Sequence, residues 1–213
     1  MVWKMKLTFK QFLQEAPLPD DWDKETYNER NSFAKRINYA KERAKRLGGG
    51  SSRVAFKIPY QGRDTVLKVA KNVKGMAQNE HEVDALNDYY LSGLGIVIPM
   101  IDYDKDSQKP TWIHLELASK ATPSEFKRQT GGRPQDLIAY ALKLTGRKGN
   151  SWGNPDVIND ESEVVQAFVD YAGSYDHPLG DYATLSNWGV FQGRLVIIDI
   201  GLSDDIYKTY YSR

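Results

Sequence analysis

The sequence contains no cysteine and only three histidines in 213 residues. Without cysteine the chain has no disulfide, no thiolate metal site and no cysteine nucleophile. His81, His114 and His177 do not share the spacing of metal ligands, and we expect the first two to be structural. His177 lies four residues before Asp181 and is a candidate to orient the loop that contains it. The sequence also lacks a Gly-x-Ser-x-Gly elbow, so nothing favours a hydrolase.

An excess of one charge and long apolar runs are missing as well. The 29 basic and 28 acidic residues give a formal net charge of +1, so no overall field attracts nucleic acid or anionic lipid. No apolar run approaches the roughly 18 residues of a membrane span, and residues 1–12 lack the long apolar core of a secretory signal. We therefore expect a globular protein with one core or two small lobes, and no membrane partner.

Apolar periodicity predicts a chain that mixes helices and strands. Helical spacing from Phe33 to Leu47 predicts a helix over 31–47 that Gly48 ends. The other faces of this helix are basic between Lys35 and Arg46. They fit either a nucleic-acid contact or a solvated surface, and the solvated surface is the simpler interpretation.

Turn and alternation signals predict the remaining strands, and capping signals, among them the capping box Thr122-Pro123-Ser124-Glu125, predict the remaining helices. The first two predicted strands form a β-hairpin that turns at Gln61-Gly62-Arg63-Asp64. In chain order, the predicted segments are a strand ending at 58, a strand over 65–70, a helix over 76–91, strands over 96–103 and 112–117, helices beginning at 123, at 134 and at 160 or 162, and a strand over 195–198.

Four motifs carry candidate chemistry, and each is weak alone. The first is the glycine-rich turn Gly48-Gly49-Gly50-Ser51, whose backbone N–H groups can approach phosphate oxygens closely. The same residues also fit an ordinary helix end before a hairpin. The second is Lys68, a charged residue in an apolar strand. It becomes informative if a carboxylate of the following helix meets it, and Glu80 and Glu82 are the candidates.

The other two motifs place carboxylates late in the chain. The loop 180–189 contains Asp181 and Asn187, which can supply a base and a magnesium ligand. The apolar strand before Asp199 ends in Asp-x-Gly, where the carboxylate can bind a hard cation or serve only as a turn residue. Together the motifs follow the order of the protein-kinase signature: glycine-rich loop, strand lysine, helix glutamate, catalytic loop and Asp-x-Gly.

Over residues 47–203 the sequence resembles small kinase-like proteins of tailed bacteriophages. The run 67–82 is similar to their pattern Leu-Lys-x-Ala-x-Asn-x-Lys-Gly-x-Ala-Gln-Asn-x-x-Glu, a match that favours Glu82 over Glu80. Their ending is Asn-Trp-Gly-Val, then an apolar strand and Asp-x-Gly. Residues 187–190 and 197–201 match it.

The resemblance implies an α+β, reduced two-lobed protein-kinase-like fold that binds ATP and Mg²⁺. Its implied parts are a tail over 1–20, an N-terminal helix with an ATP-grasping β-lobe over 21–118, and a truncated helical lobe over 119–213. The implied residues are Lys68, Glu82 and Asp181 for catalysis, Gly48, Gly49, Gly50, Ser51, Lys68, Glu116 and Ala118 for the nucleotide, and Asn187 and Asp199 for Mg²⁺.

The catalytic loop departs from the kinase pattern. Five residues separate Asp181 from Asn187, where most kinases have four. No His-Arg precedes Asp181, and Ala183 stands where a lysine is usual. Residues 202–213 are too few to build an activation segment and the helices that hold a peptide substrate. We therefore do not expect a conventional protein kinase.

The N-terminal run 5–16 resembles the capsid-targeting peptides of contractile-tailed phages. In those peptides a head protease cuts after a triplet such as Leu-x-Glu, here Leu13-Gln14-Glu15. Pro17 and Pro19 follow directly and would keep the site accessible. The alternative is an amphipathic helix that packs on the domain.

Three functions follow from these patterns. The first is a phage-encoded, ATP-binding phosphotransferase with an unknown protein or small-molecule acceptor, packaged in the virion head, processed by the head protease and active in the host cytoplasm. The second is a catalytically inactive pseudokinase that binds a host or virion protein. The third is a packaged nucleic-acid-binding protein, which rests only on the basic face over 35–46.

Overall fold

The computed structural model describes residues 24–149, 152–175 and 177–212, and the predicted tail with its cleavage triplet lies outside them. The chain divides into two compact units. The first unit contains the described residues up to Met76 and the segment Ile101–Glu116. The second contains Ala77–Met100 and the described residues from Leu117 onward. The fold is mixed α+β with antiparallel strand pairing, which confirms the expected class.

The first unit is built on a five-stranded sheet. Its elements are α1 (Lys24–Asn28), α2 (Phe33–Arg43), β1 (Lys45–Gly49), β2 (Arg53–Tyr60), β3 (Arg63–Ala70), the start of α3 (Val73–Asn87), β4 (Met100–Tyr103) and β5 (Trp112–Glu116). The strand order is β1-β2-β3-β5-β4. Aromatic and aliphatic side chains from α1, α2 and the central strands form one buried cluster that includes Tyr27, Phe56 and Trp112.

The predicted hairpin between β2 and β3 is confirmed, but its turn is shorter than predicted because Arg63 and Asp64 belong to β3. Tyr60 pairs with Arg63, which leaves Gln61 and Gly62 as a two-residue loop, and both have positive φ, at 49° and 77°. Such a loop matches the right-handed twist of the flanking strands and favours glycine at its second position. This turn fixes the register that places Lys68 opposite Ala55.

Helix α2 is shorter than the sequence predicts. It begins after Ser32, whose hydroxyl accepts the Lys35 N–H at 3.3 Å, and it ends at Arg43 rather than at Leu47. The last predicted residues instead form β1, which pairs antiparallel with β2. Because the edge of β2 offers a full row of hydrogen-bonding groups, strand pairing overrides the weak helical preference of Lys45–Gly49.

The second unit is mostly helical, with a small sheet. Its elements are the rest of α3, α4 (Tyr89–Leu94), β6 (Ser119–Lys120), α5 (Pro123–Thr130), α6 (Pro134–Thr145), α7 (Glu163–Ser174), β7 (Trp188–Phe191), β8 (Arg194–Ile197) and α8 (Asp204–Tyr210), with short 3-10 turns at Pro155–Val157, Leu179–Ala183 and Leu185–Asn187. The predicted capping box at Thr122 is confirmed. None of the described helices has the length and hydropathy to cross a bilayer.

Two elements that the sequence predicts as continuous are interrupted in the structure. The helix expected over 76–91 stops at Asn87, because the Asp88 carboxylate accepts the N–H groups of Tyr90 and Leu91 and starts α4 instead. The strand expected over 96–103 is interrupted as well. Its first residues pair with β8 through a parallel bridge from Val97, and only β4 joins the five-stranded sheet.

Candidate functional site

The β7–β8 hairpin brings Asn187 close to Asp199, the aspartate of the Asp-x-Gly motif. Asn187 directly precedes β7, and Asp199 lies two residues beyond β8. Trp188 pairs with Ile197, and the Ile198 N–H donates to the Asn187 carbonyl at 3.0 Å. Because the two strands are antiparallel, the beginning of one and the end of the other meet at the same edge.

Asp181 lies on a loop that folds back onto Asn187. The loop consists of the two 3-10 turns Leu179–Ala183 and Leu185–Asn187. The Asn187 Nδ2 donates to the Asp181 carbonyl at 2.6 Å, and the indole of Trp188 donates to the Tyr182 carbonyl at 2.9 Å. An amide that donates through Nδ2 keeps its Oδ1, the atom able to bind a cation, available on the other side.

The three residues line one cavity within the second unit. The cavity has a volume of about 100 Å³, and its lining residues are Gln78, Asp181, Tyr182, Asn187, Asp199 and Leu202. The structure thus brings together the carboxylates and the amide that the sequence order assigns to a catalytic loop and a metal site. None of the side chains in this lining is basic.

The carboxylates of Asp181 and Asp199 interact electrostatically. Burial raises the pKa of Asp181, and the negative charge of Asp199 raises it further. Asp199 itself is exposed, and its Oδ1 accepts the Gly201 N–H at 3.2 Å, which is the turn interaction that the sequence allowed as its simpler role. Two neighbouring carboxylates repel each other when both are charged, and protonation of one of them or a bound cation relieves this repulsion.

The donor set fits Mg²⁺, although it is incomplete by itself. Carboxylate and amide oxygens suit this ion, which usually keeps several waters and binds phosphate oxygens in addition to one or two carboxylates. Among the described residues, no group of three or more His, Asp or Glu side chains is arranged to hold a metal. Asp181, Asn187 and Asp199 would therefore hold the ion only together with water or a ligand's phosphates.

In the first unit, Lys68 is more enclosed than a lysine on a half-exposed strand. It lies on β3 between Ala55 of β2 and Ile113 of β5, and it is 8% exposed. Its neighbours Leu67 and Val69 are buried too, so both faces of β3 are covered. A lysine is rarely enclosed to this degree without a specific role or partner.

The glycine-rich turn begins two residues later than expected. Gly48 and Gly49 belong to β1, opposite Ala55 and Val54. The chain then reverses through Gly50, Ser51 and Ser52, and the Gly50 N–H closes the turn on the Arg53 carbonyl at 3.0 Å. Of the four predicted turn residues, only Gly50 and Ser51 occupy the turn itself.

Glu116 and Ala118, which the resemblance implies as nucleotide contacts, have different surroundings. Glu116 ends β5, and both of its carboxylate oxygens accept hydrogen bonds from Arg63, at 2.5 and 3.1 Å. The Glu116 side chain is thus occupied, which leaves backbone groups as the candidate contacts for an adenine. Ala118 lies beside β7, where a Cβ on Gly189 would stand 2.6 Å from the Ala118 Cβ. This close approach explains the glycine of the Asn-Trp-Gly motif.

Glu82 is fully buried on α3, whereas Glu80 is half-buried. Within the second unit, burial raises the pKa of Tyr171 and of Tyr182, and the Glu82 charge adds to both shifts. Lys68 and Glu82 belong to different units. Their pairing stays a prediction of the sequence.

Sequence reasoning missed Gln78, which lies on α3. Gln78 lines the cavity, is 7% exposed, and donates from Nε2 to the Tyr211 hydroxyl at 3.2 Å. A signal was present in the sequence, because the motif over 67–82 includes Ala77-Gln78-Asn79, but no role was assigned to Gln78.

A buried chain of hydrogen bonds also escaped prediction. The Nε2 atoms of His81 and His177 lie 2.6 Å apart, His177 Nδ1 contacts the Tyr171 hydroxyl, and the hydroxyls of Tyr171 and Tyr182 are 2.5 Å apart. The chain ends next to Asp181. His177 is thus linked through Tyr171 and Tyr182 to the loop that contains Asp181, although its ring does not line the cavity. Its role in orienting that loop stays a prediction.

Comparison with models of known protein families gives no match, and no curated protein is significantly similar to the chain. The site must therefore be judged on its own residues.

Proposed function

We propose that the protein binds Mg-ATP in a reduced, two-lobed protein-kinase-like fold and transfers the γ-phosphate to an acceptor. The observation that carries this proposal is the shared cavity of Asp181, Asn187 and Asp199. These residues were selected from motif order alone, and they meet in one place. The buried Lys68 and the glycine-rich turn before β2 give further support.

Each residue has a defined task in this proposal. Lys68, held by Glu82, would align the α- and β-phosphates, and Asn187 with Asp199 would hold Mg²⁺. The metal would neutralise charge on the phosphates. Asp181 would accept a hydrogen bond from the acceptor hydroxyl and position it for attack. Catalysis would consist of positioning and charge neutralisation rather than covalent chemistry.

The biological setting is proposed from resemblance. The run 67–82 and the ending over 187–201 are similar to phage kinase-like proteins, and the run 5–16 is similar to capsid-targeting peptides. On this basis the protein would travel in the virion head and act in the host cytoplasm. The intact mass of the protein from purified virions tests this proposal: a chain that begins at Ala16 supports head processing, and one that begins at Met1 contradicts it.

Thermal unfolding with and without Mg-ATP tests the nucleotide site. We expect saturating Mg-ATP to raise the Tm of the wild type, because a ligand that binds only the folded state stabilises it. Lys68→Ala and Asp199→Ala should abolish the shift. Lys57→Ala on β2 and Asp160→Ala are the matched controls, since both residues are accessible and lie outside the cavity lining. A wild type without any shift refutes the proposal.

The second candidate is a pseudokinase that binds a host or virion protein. It is favoured by Ala183, whose methyl group cannot neutralise a phosphate as the usual lysine does. Transfer of labelled γ-phosphate distinguishes the two. Transfer that Asp181→Asn abolishes supports the enzyme, whereas nucleotide binding without transfer to protein or small-molecule acceptors supports the pseudokinase.

The third candidate, a nucleic-acid-binding protein, gains no support from α2. Arg36 lies over the ring of Tyr27 at 5.7 Å from its centroid, and Arg43 lies over Tyr39 at 3.7 Å. These guanidinium groups are stacked on tyrosines of the unit's own core, which reduces what the basic face can offer to a phosphate backbone.

A further inference from the structure

The glycine-rich turn is fastened to the residues that follow β3. The Gly50 carbonyl accepts a hydrogen bond from Lys71 Nζ at 2.8 Å, and the Ser51 carbonyl accepts one from Asn72 Nδ2 at 3.1 Å. The Ser52 carbonyl accepts the Lys71 backbone N–H at 2.7 Å. Three consecutive carbonyl groups of the turn are thus held by two consecutive residues. We call Lys71 and Asn72 the carbonyl clamp.

Asn72 also ties the clamp to the beginning of α3. Its Oδ1 accepts the Gly75 N–H at 3.0 Å, while its Nδ2 donates to the turn. Gly75 touches the turn directly, because a Cβ at this position would lie only 2.2 Å from the Ser52 carbonyl oxygen. The turn, the clamp and the first turn of α3 therefore form one packed assembly within the first unit.

The clamp determines which side of the turn presents its N–H groups. All peptide bonds of the described residues are trans, so each N–H points away from the carbonyl of the same peptide group. Once the clamp holds the carbonyls of Gly50, Ser51 and Ser52, the N–H groups of the next residues face the opposite side. Backbone N–H groups on one side of a turn are the type of donor that binds a phosphate oxygen.

We propose that Lys71 and Asn72 are positioning residues that hold the glycine-rich turn in its phosphate-binding conformation before nucleotide arrives. This inference rests on the proposed function and adds to it the residues that preorganise the phosphate subsite. A turn ordered in advance avoids the entropy cost of ordering it during binding. The contribution concerns the phosphates alone and leaves the nucleoside untouched.

Binding of ATP and of adenosine to the full chain, measured by calorimetry with Mg²⁺ present, tests the clamp. Asn72→Ser keeps a side-chain oxygen that can accept the Gly75 N–H but is too short to donate to Ser51. Lys71→Met removes the Nζ donor and keeps the backbone bond to Ser52. We expect each variant to weaken ATP binding about tenfold, the equivalent of one hydrogen bond to a charged group, and to leave adenosine binding unchanged. Lys57→Met is the matched control and should change neither.

The ratio of the two affinities separates positioning from general stability. Equal losses for ATP and adenosine, or no loss for either, overturn the proposal. If the wild type binds neither ligand, the proposed function fails and the phosphate role fails with it. Hydrogen exchange over residues 49–53 of the ligand-free chain then judges the clamp alone: faster exchange in Asn72→Ser supports a turn held by the clamp, and unchanged exchange refutes it.

Discussion

His177 makes stability dependent on pH, and the structure gives the size of the effect. Its side chain is 2% exposed, Nε2 contacts His81 and Nδ1 contacts the Tyr171 hydroxyl. Burial is the largest cause of a lowered His177 pKa, and together with the charges of His81 and Arg147 it brings this pKa to about 3. Arg147 cannot move away easily, because its guanidinium donates to the His177 carbonyl at 2.9 Å.

The sign of the effect follows from proton linkage. In the unfolded chain His177 takes up a proton near pH 6.5, whereas in the folded chain it stays neutral until about pH 3. The stabilising contribution is therefore fully present above pH 6.5 and is lost as the pH falls toward 3. The free energy of unfolding should decrease by about 1.4 kcal/mol per pH unit across this window from His177 alone.

Urea denaturation of the wild type and of His177→Gln at pH 7, 6, 5 and 4 measures this slope. Glutamine can still reach His81 with a polar group, but it does not titrate. We expect the wild type to lose stability faster than the variant below pH 6.5, by the slope given above. Carboxylates shared by both proteins cancel in the difference. Equal slopes would mean that His177 can charge inside the fold, and would refute the reasoning.

Three further substitutions probe the structure around the site. Gly75→Ala should cost about 1–3 kcal/mol, because its Cβ would collide with the Ser52 carbonyl oxygen, and urea denaturation measures this loss. Asp136→Asn should cost about 1–3 kcal/mol at pH 7, since hydrogen bonds from Arg133 and Asn154 outweigh burial and lower the Asp136 pKa to about 2. The difference from wild type should shrink as the pH falls toward 2. Thr122→Ala should cost about 1 kcal/mol, because it removes the capping box of α5, and thermal unfolding measures it.

Each of these predictions has an outcome that contradicts it. A Gly75→Ala variant as stable as wild type would mean that the turn and α3 separate without cost; Gly93→Ala, at a position with open space, is its control. An Asp136→Asn deficit that stays constant between pH 7 and pH 2 would show that the carboxylate charge is irrelevant. A Thr122→Ala variant as stable as the wild type would show that packing alone stabilises α5.

The sequence predicted best those features that are encoded locally. The hairpin turn and the capping box at Thr122 depend on a few adjacent residues. The capping box is confirmed, and the turn lies where it was predicted but is limited to Gln61 and Gly62. The end of α2 depends instead on a competition with the edge of β2, which no local pattern contains. Lys45–Gly49 reads as the end of a helix and folds as a strand for that reason.

The candidate site shows the same division. Motif order selected Asp181, Asn187 and Asp199, which line one cavity. The register of the β7–β8 hairpin explains why Asn187 and Asp199 meet, and the hydrogen bond from Asn187 to the Asp181 carbonyl adds the third residue. His81 and His177 are 96 residues apart in sequence, and no residue adjacent to either one indicates that the two are in contact. Long-range polar contacts of this kind arise when a loop packs against a helix that is distant in sequence, so periodicity and motif spacing cannot reveal them.

Two departures from the kinase pattern, the extra residue between Asp181 and Asn187 and the alanine at position 183, have different consequences in the structure. The extra residue between Asp181 and Asn187 is absorbed by the two 3-10 turns, which still bring Asn187 Nδ2 to the Asp181 carbonyl at 2.6 Å. Ala183 has no such compensation, since none of the residues lining the cavity is basic. The positive charge that phosphoryl transfer requires would then have to come from Mg²⁺ and Lys68. Lys68→Ala and Asp199→Ala remove one source each, which makes them the most direct tests of the proposed chemistry.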